Sequence, residues 1–181
     1  MLCTSKLYRA LALHESVLKH ISLHHYFQNP SRINLSSSSR PFFARCLEAA
    51  HPTATYLESL RLACREGRAE TGLQLFYTNP SHLPHAVFSQ ALLEVCLGRY
   101  DQSMTTIASF LAMFNSYHSA DAVASQVFNH IMQIGPRKIR SHSNTWRFDE
   151  YPDCLLTGCG IDNRCIHCFF YWFAVTYLVL C

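Results

Sequence analysis

A pattern recurs in this chain at an offset of 32 residues. Ala54, Tyr56, Leu60, Ala63 and Cys64 are answered by Ala86, Phe88, Leu92, Val95 and Cys96. Each copy is followed by a glycine, Gly67 or Gly98, and then by a second apolar-periodic stretch. A helix-period apolar unit that returns after some thirty residues marks a helix-turn-helix repeat, and such units close a core only by stacking on one another. Two copies are plain and a third is degraded, so the expectation is all-α: a short helix-turn-helix repeat array.

Proline, glycine and apolar spacing divide the chain into four stretches. Residues 1–27 carry Leu7, Ala10, Leu11, His14, Val17, Leu18 and Ile21 at spacings of three and four and read as helical. Residues 28–41 hold Asn29-Pro30 and the run Ser36–Ser39 without any period, and read as a Ser-rich flexible linker. Residues 42–134 predict five or six helices: Phe42–Ala50, Thr53 to about Arg65, Ala69–Phe76, Ala86–Leu97, Tyr100–Phe114 and Ala120–Ile134, the last stopped by Gly135-Pro136. In the second of these, Tyr56, Leu57, Leu60, Ala63 and Cys64 face the core, while Glu58, Arg61 and Arg65 are expected on a solvated face. Gly72 lies inside a helix, at a cost of about 1 kcal/mol relative to alanine; close approach of a neighbouring helix would explain it. The inner wall formed by Leu92–Leu111 and its upstream copy is where a partner protein is expected to lie.

Residues 135–181 form a Cys-rich, aromatic C-terminal segment. Cys154, Cys159, Cys165 and Cys168 fall within fifteen positions. Cysteine pairs of the Cys-x2-Cys kind present two thiolates to one zinc, and four sulfurs satisfy its tetrahedral preference. These four are therefore the candidate metal ligands, with His167 able to replace one sulfur and Cys181 a further donor. The alternative is that they are small buried residues beside a hydrophobic stretch, since unoxidised cysteine is among the most buried residue types. Phe169–Leu180 has no charge, yet twelve residues fall short of the roughly 20 that span a membrane. The expectation is a terminal helix that caps the stack, with no membrane span.

Apolar residues make up 49% of the chain and charged ones 15%, which excludes a wholly disordered protein. The net charge of +3 is concentrated at the start: residues 1–45 hold six basic groups against Glu15 alone. The remainder is near neutral, which is not the footprint of a nucleic-acid binder. Nine cysteines, an odd number, and no continuous apolar leader argue against a disulfide framework and for a reducing compartment, cytoplasmic or nuclear. The basic, serine-containing N-terminus leaves organelle targeting as the alternative. No phosphate-cradling glycine loop, nucleophile elbow or zinc-protease helix occurs, and the histidines lack convergent partners at ligand spacing. No catalytic residue is assigned, and no cofactor is required beyond the zinc the cysteines could hold.

Several stretches resemble one family in one order. Cys3-Thr4-Ser5-Lys6-Leu7-Tyr8, Leu11 and Val17-Leu18-Lys19-His20-Ile21-Ser22-Leu23 resemble the last third of a plant F-box. His51-Pro52-Thr53-Ala54-Thr55-Tyr56, with Gly67 and Gly72, resembles tetratricopeptide- and Sel-type helical units. Asn144-Thr145-Trp146-Arg147-Phe148 and Cys165-Ile166-His167-Cys168-Phe169-Phe170-Tyr171-Trp172-Phe173 resemble the ending of plant F-box proteins that carry such a repeat region. The resemblance implies an α-solenoid that serves as a substrate receptor of a cullin–RING ubiquitin ligase. Its F-box would meet a Skp-type adaptor, and its repeats would hold the protein to be ubiquitinated. The front half of the F-box, with its leading Leu-Pro, does not occur in the sequence, so residues 1–27 carry only the remnant of that motif and of its adaptor contact. A coding segment upstream of Met1 is expected to supply the rest. The other reading is a free-standing or organelle-targeted helical adaptor unrelated to ubiquitination.

Overall fold

Proline in the first helical turn and glycine past the last turn set most of the boundaries. The computed structural model describes Tyr8, residues 11–137, Cys154, Cys159 and residues 165–181. Within them the long elements are α3 (Arg40–Glu48), α4 (Pro52–Leu60) with a π-helical continuation (Arg61–Arg65), α5 (Ala69–Thr78), α6 (Pro84–Cys96), α7 (Tyr100–Leu111), α8 (Tyr117–Ile134) and α9 (Ile166–Leu180). Two short helices, α1 (Glu15–Leu18) and α2 (His24–Gln28), and a 3-10 turn (Pro30–Ile33) precede them. No strand occurs among the described residues, so the all-α expectation holds.

The two sequence copies fold alike. Pro41, Pro52 and Pro84 occupy first-turn positions, where the missing N–H costs nothing. Gly67 and Gly98 turn the chain at φ 67° and 75°, a region glycine enters without a Cβ clash. α5 then packs on α4 and α7 on α6. Gly135 ends α8 in the left-handed conformation, φ 83°. A Cβ on Gly72 would sit 2.7 Å from the Ser59 carbonyl oxygen. Close helix approach at Gly72 is therefore the reason for the glycine.

The expected solvated face of α4 is not solvated. Every residue from Ala54 to Cys64 is buried, including Glu58 at 4% exposure and Arg61 at 4%. The cover comes from the segment read as helix and spacer. Residues 19–23 interrupt the expected N-terminal helix, and the segment from α1 to the 3-10 turn packs through Leu18, Leu23, Tyr26, Pro30 and Ile33. Arg40 forks onto Glu58 (Nη2–Oε1 2.9 Å), and its Nη1 donates to the Ile33 carbonyl at 3.0 Å. Arg61 donates to the same carboxylate (Nη2–Oε1 2.8 Å) and also meets Glu66. Arg65 turns inward and donates to the carbonyls of Ile134 and Gly135, closing the C-terminal end of α8. Glu94 is buried too and accepts from Thr106, Gln90 and Tyr77. Charge spacing along one helix could not reveal this, because the covering groups come from elsewhere in the chain.

α9 also lies where the sequence did not put it. Phe169 and Phe173 pack on Phe88 of α6, at ring-centroid distances of 6.4 and 5.3 Å. Phe169 also stacks on Phe110 of α7, and Phe173 meets Phe128 of α8. α9 thus lies along α6 and α7, over the wall that was expected to be open to a partner. Asn144–Phe148 and most of Cys3–Tyr8 lie outside the described residues.

Candidate metal centre

Cys165 is the N-cap of α9. Its backbone is extended (φ −68°, ψ 163°), and its sulfur accepts the amide of Cys168 at 3.4 Å. The two-residue spacing sets Cys168 in the first turn, where helical Cβ atoms tilt toward the N-terminus and bring its sulfur beside that of Cys165. Cys154 reaches both: its Sγ is 3.2 Å from that of Cys165 and 2.7 Å from that of Cys168. The Cys159 amide donates to the Cys154 carbonyl at 3.1 Å, holding the fourth cysteine close. All four sulfurs lie within 4.8 Å of one another.

The donor set suits a thiophilic ion. Metal–sulfur bonds of about 2.3 Å in a tetrahedron give sulfur–sulfur edges of about 3.8 Å, inside the observed envelope. Closing the shell requires Cys154 to draw back from Cys168 by about 1 Å, by that same geometry. Disulfide sulfurs sit at about 2.05 Å, well short of any separation seen here. Ligation by thiolate needs at least one sulfur that gives up its proton readily. Burial raises the Cys165 thiol, but the Cys168 amide and the neighbouring thiols outweigh it and hold the group at about 7. Cys168 is pushed up, first by burial and then by its hydrogen bonds to Cys154 and Cys165.

The structure brings the four predicted ligands together and leaves the two substitutes out. His167 is exposed one residue from Cys168. Cys181 lies buried at the other end of α9, roughly 22 Å away at 1.5 Å per residue. Among the described residues this is the one group of three or more metal-ligating side chains that converges.

The chain matches no family model, no curated protein and no solved structure.

Other polar groups serve the fold. His51 caps α4, its Nδ1 accepting from the Thr53 amide, and its Nε2 reaches the Ile21 carbonyl at 2.8 Å. His85 and His130 are buried with Tyr56, and Phe27 stands edge-on to both imidazoles at 4.8 and 4.6 Å. Sequence reasoning missed this box, since its members come from α2, α4, α6 and α8. On the outer side, Tyr77, Glu94, Asp101, Gln102, Thr105 and Thr106 line an open groove of about 400 Å³. No helix among the described residues is long and apolar enough to cross a membrane.

Proposed function

We propose that this chain is a non-catalytic protein-interaction subunit, a substrate receptor of an SCF-type cullin–RING ubiquitin ligase, with one structural zinc at its C-terminal helix. The observation that carries the reading is the matched pair of units. Ala54–Cys64 and Ala86–Cys96 are both helical, the first finishing in a π-helical turn and the second α-helical to its end, and each leads through a left-handed glycine to a second helix. They stand in the same order as the F-box-like, repeat-like and Cys-aromatic motifs of the resemblance. The target protein would be held on the outer helices α5 and α7, since α8, α9 and the N-terminal segment cover α4 and α6. The groove over Glu94 and Asp101 suits a basic side chain there. The protein contributes proximity and no bond-making step.

Cys154, Cys159, Cys165 and Cys168 would hold the zinc as four thiolates. When bound, the ion cross-links the chain before α9 to the first turn of that helix, without an open position for catalysis. Native mass spectrometry under reducing conditions tests this, with one zinc per chain expected. A zinc-free protein, or a mass two units low from a disulfide, counts against it.

Capture of a Skp-type adaptor by the full chain tests the ligase reading. Binding supports it. No binding, alongside an intact F-box protein that does bind, replaces it with a free-standing helical adaptor whose basic N-terminus serves another purpose, such as organelle targeting.

A further inference from the structure

We propose that α9 is a releasable cover over the apolar face of α6 and α7, and that zinc in the four-cysteine site is its latch. This rests on the zinc reading above and adds what the metal controls. Phe169, Phe173, Tyr177 and Cys181 recur at four-residue spacing and form one ridge along α9. The ridge meets Phe88, Phe110 and Phe128 at its start and is buried again at Tyr177 and Cys181. Phe169, Tyr177 and Cys181 are buried in that contact, whereas the opposite side shows Trp172 at 55% and Val179 at 70% exposure. α9 is therefore apolar all round but covered on one side only.

A 15-residue helix is marginal by itself in water and depends on what holds it. The two ends of α9 are held differently. Its C-terminal end relies on the burial of Tyr177 and Cys181. At its N-terminal end, Cys165 and Cys168 belong to the helix, while Cys154 and Cys159 precede it in the chain. A metal bridging these pairs fixes the first turn and its cap, next to the Phe169 contacts with Phe110 and Tyr117. Without the ion the start of a marginal helix is left to its side-chain packing. The N-terminal half of the molecule has its own ties, the Arg40–Glu58–Arg61 network and the packing around the buried Cys46.

Four buried thiols among the described residues outside the site, Cys46, Cys64, Cys96 and Cys181, make the test possible. The full-length zinc protein is exposed to iodoacetamide under reducing conditions, with and without a strong chelator, and alkylation is followed cysteine by cysteine while zinc content is measured on the same sample. Removing the metal is expected to speed labelling of Cys96 and Cys181 at least tenfold, leave Cys46 protected, and be reversed by added zinc. The double variant C154S/C159S should label like the chelated protein. Unchanged rates at Cys96 and Cys181 after verified zinc loss overturn the latch and leave the zinc reading standing. Labelling of Cys46 in parallel also overturns it, because the metal would then support the whole fold. Absence of zinc from the untreated protein, with none taken up on addition, removes both.

Discussion

The Tyr56 hydroxyl and the Nδ1 atom of His130 lie 2.8 Å apart in the core, 74 positions apart in the chain. This contact joins α4 to α8, with His85 stacked 6.0 Å from His130 and Phe27 closing the box. Burial, and then the facing His85, lower the His130 imidazole from 6.5 to about 4. Burial lowers His85 as well. The folded protein thus keeps both neutral, while the unfolded chain protonates them near 6.5. Their contribution is fully present above that value and is lost as pH falls from 6.5 toward 4. For His130 it amounts to at most about 3 kcal/mol at 1.36 kcal/mol per unit. Urea unfolding at pH 7.5 and 5 should show the loss in the native sequence, and a smaller one in His130→Gln. Equal losses in the two proteins would contradict the assignment.

Glu58 is the shared acceptor of Arg40 and Arg61. Burial opposes its ionisation, but the two guanidiniums outweigh this and hold the carboxyl below its usual range. Glu58→Ala leaves Arg40 without an acidic partner and Arg61 with Glu66 alone, and is expected to cost about 3–5 kcal/mol. Glu70→Ala removes an exposed partner of Arg99 and should cost under about 1 kcal/mol. Chemical denaturation of both variants measures the contrast.

Gly72→Ala should reverse the usual sign of its substitution. Replacing an exposed mid-helix glycine by alanine stabilises by about 1 kcal/mol. Here the new methyl would meet the Ser59 carbonyl at 2.7 Å, and overpacking of this kind costs about 1–3 kcal/mol. A rise in the thermal midpoint would show that the two helices can separate freely.

Ala50 ends α3 with φ 55°. The amide of His51 donates to the Cys46 carbonyl and that of Ala50 to Leu47, the pattern usually completed by glycine. Ala50→Gly removes the Cβ clash of the left-handed conformation and should stabilise by about 1 kcal/mol. The unfolding midpoint in urea should rise at constant slope.

The sequence by itself determined the local events: most helix starts and stops between residues 42 and 134, and that the copies at Ala54 and Ala86 each form a helix followed by a glycine turn and a second helix. These depend on proline, glycine and a 3.6-residue period, which act within a few positions. It also brought out the four cysteines, because sulfur at that spacing is rare without a reason. Tertiary structure decided which polar groups are inside. Glu58 and Arg61 read as wet because a helix period reports a face, not what covers it, and the cover arrives from Arg40 and Ile33 in a stretch without periodicity. It also decided the place of α9. A helix apolar all round carries no directional signal in its sequence, so only the aromatic shapes of Phe88, Phe110 and Phe128 fix which wall it lies on.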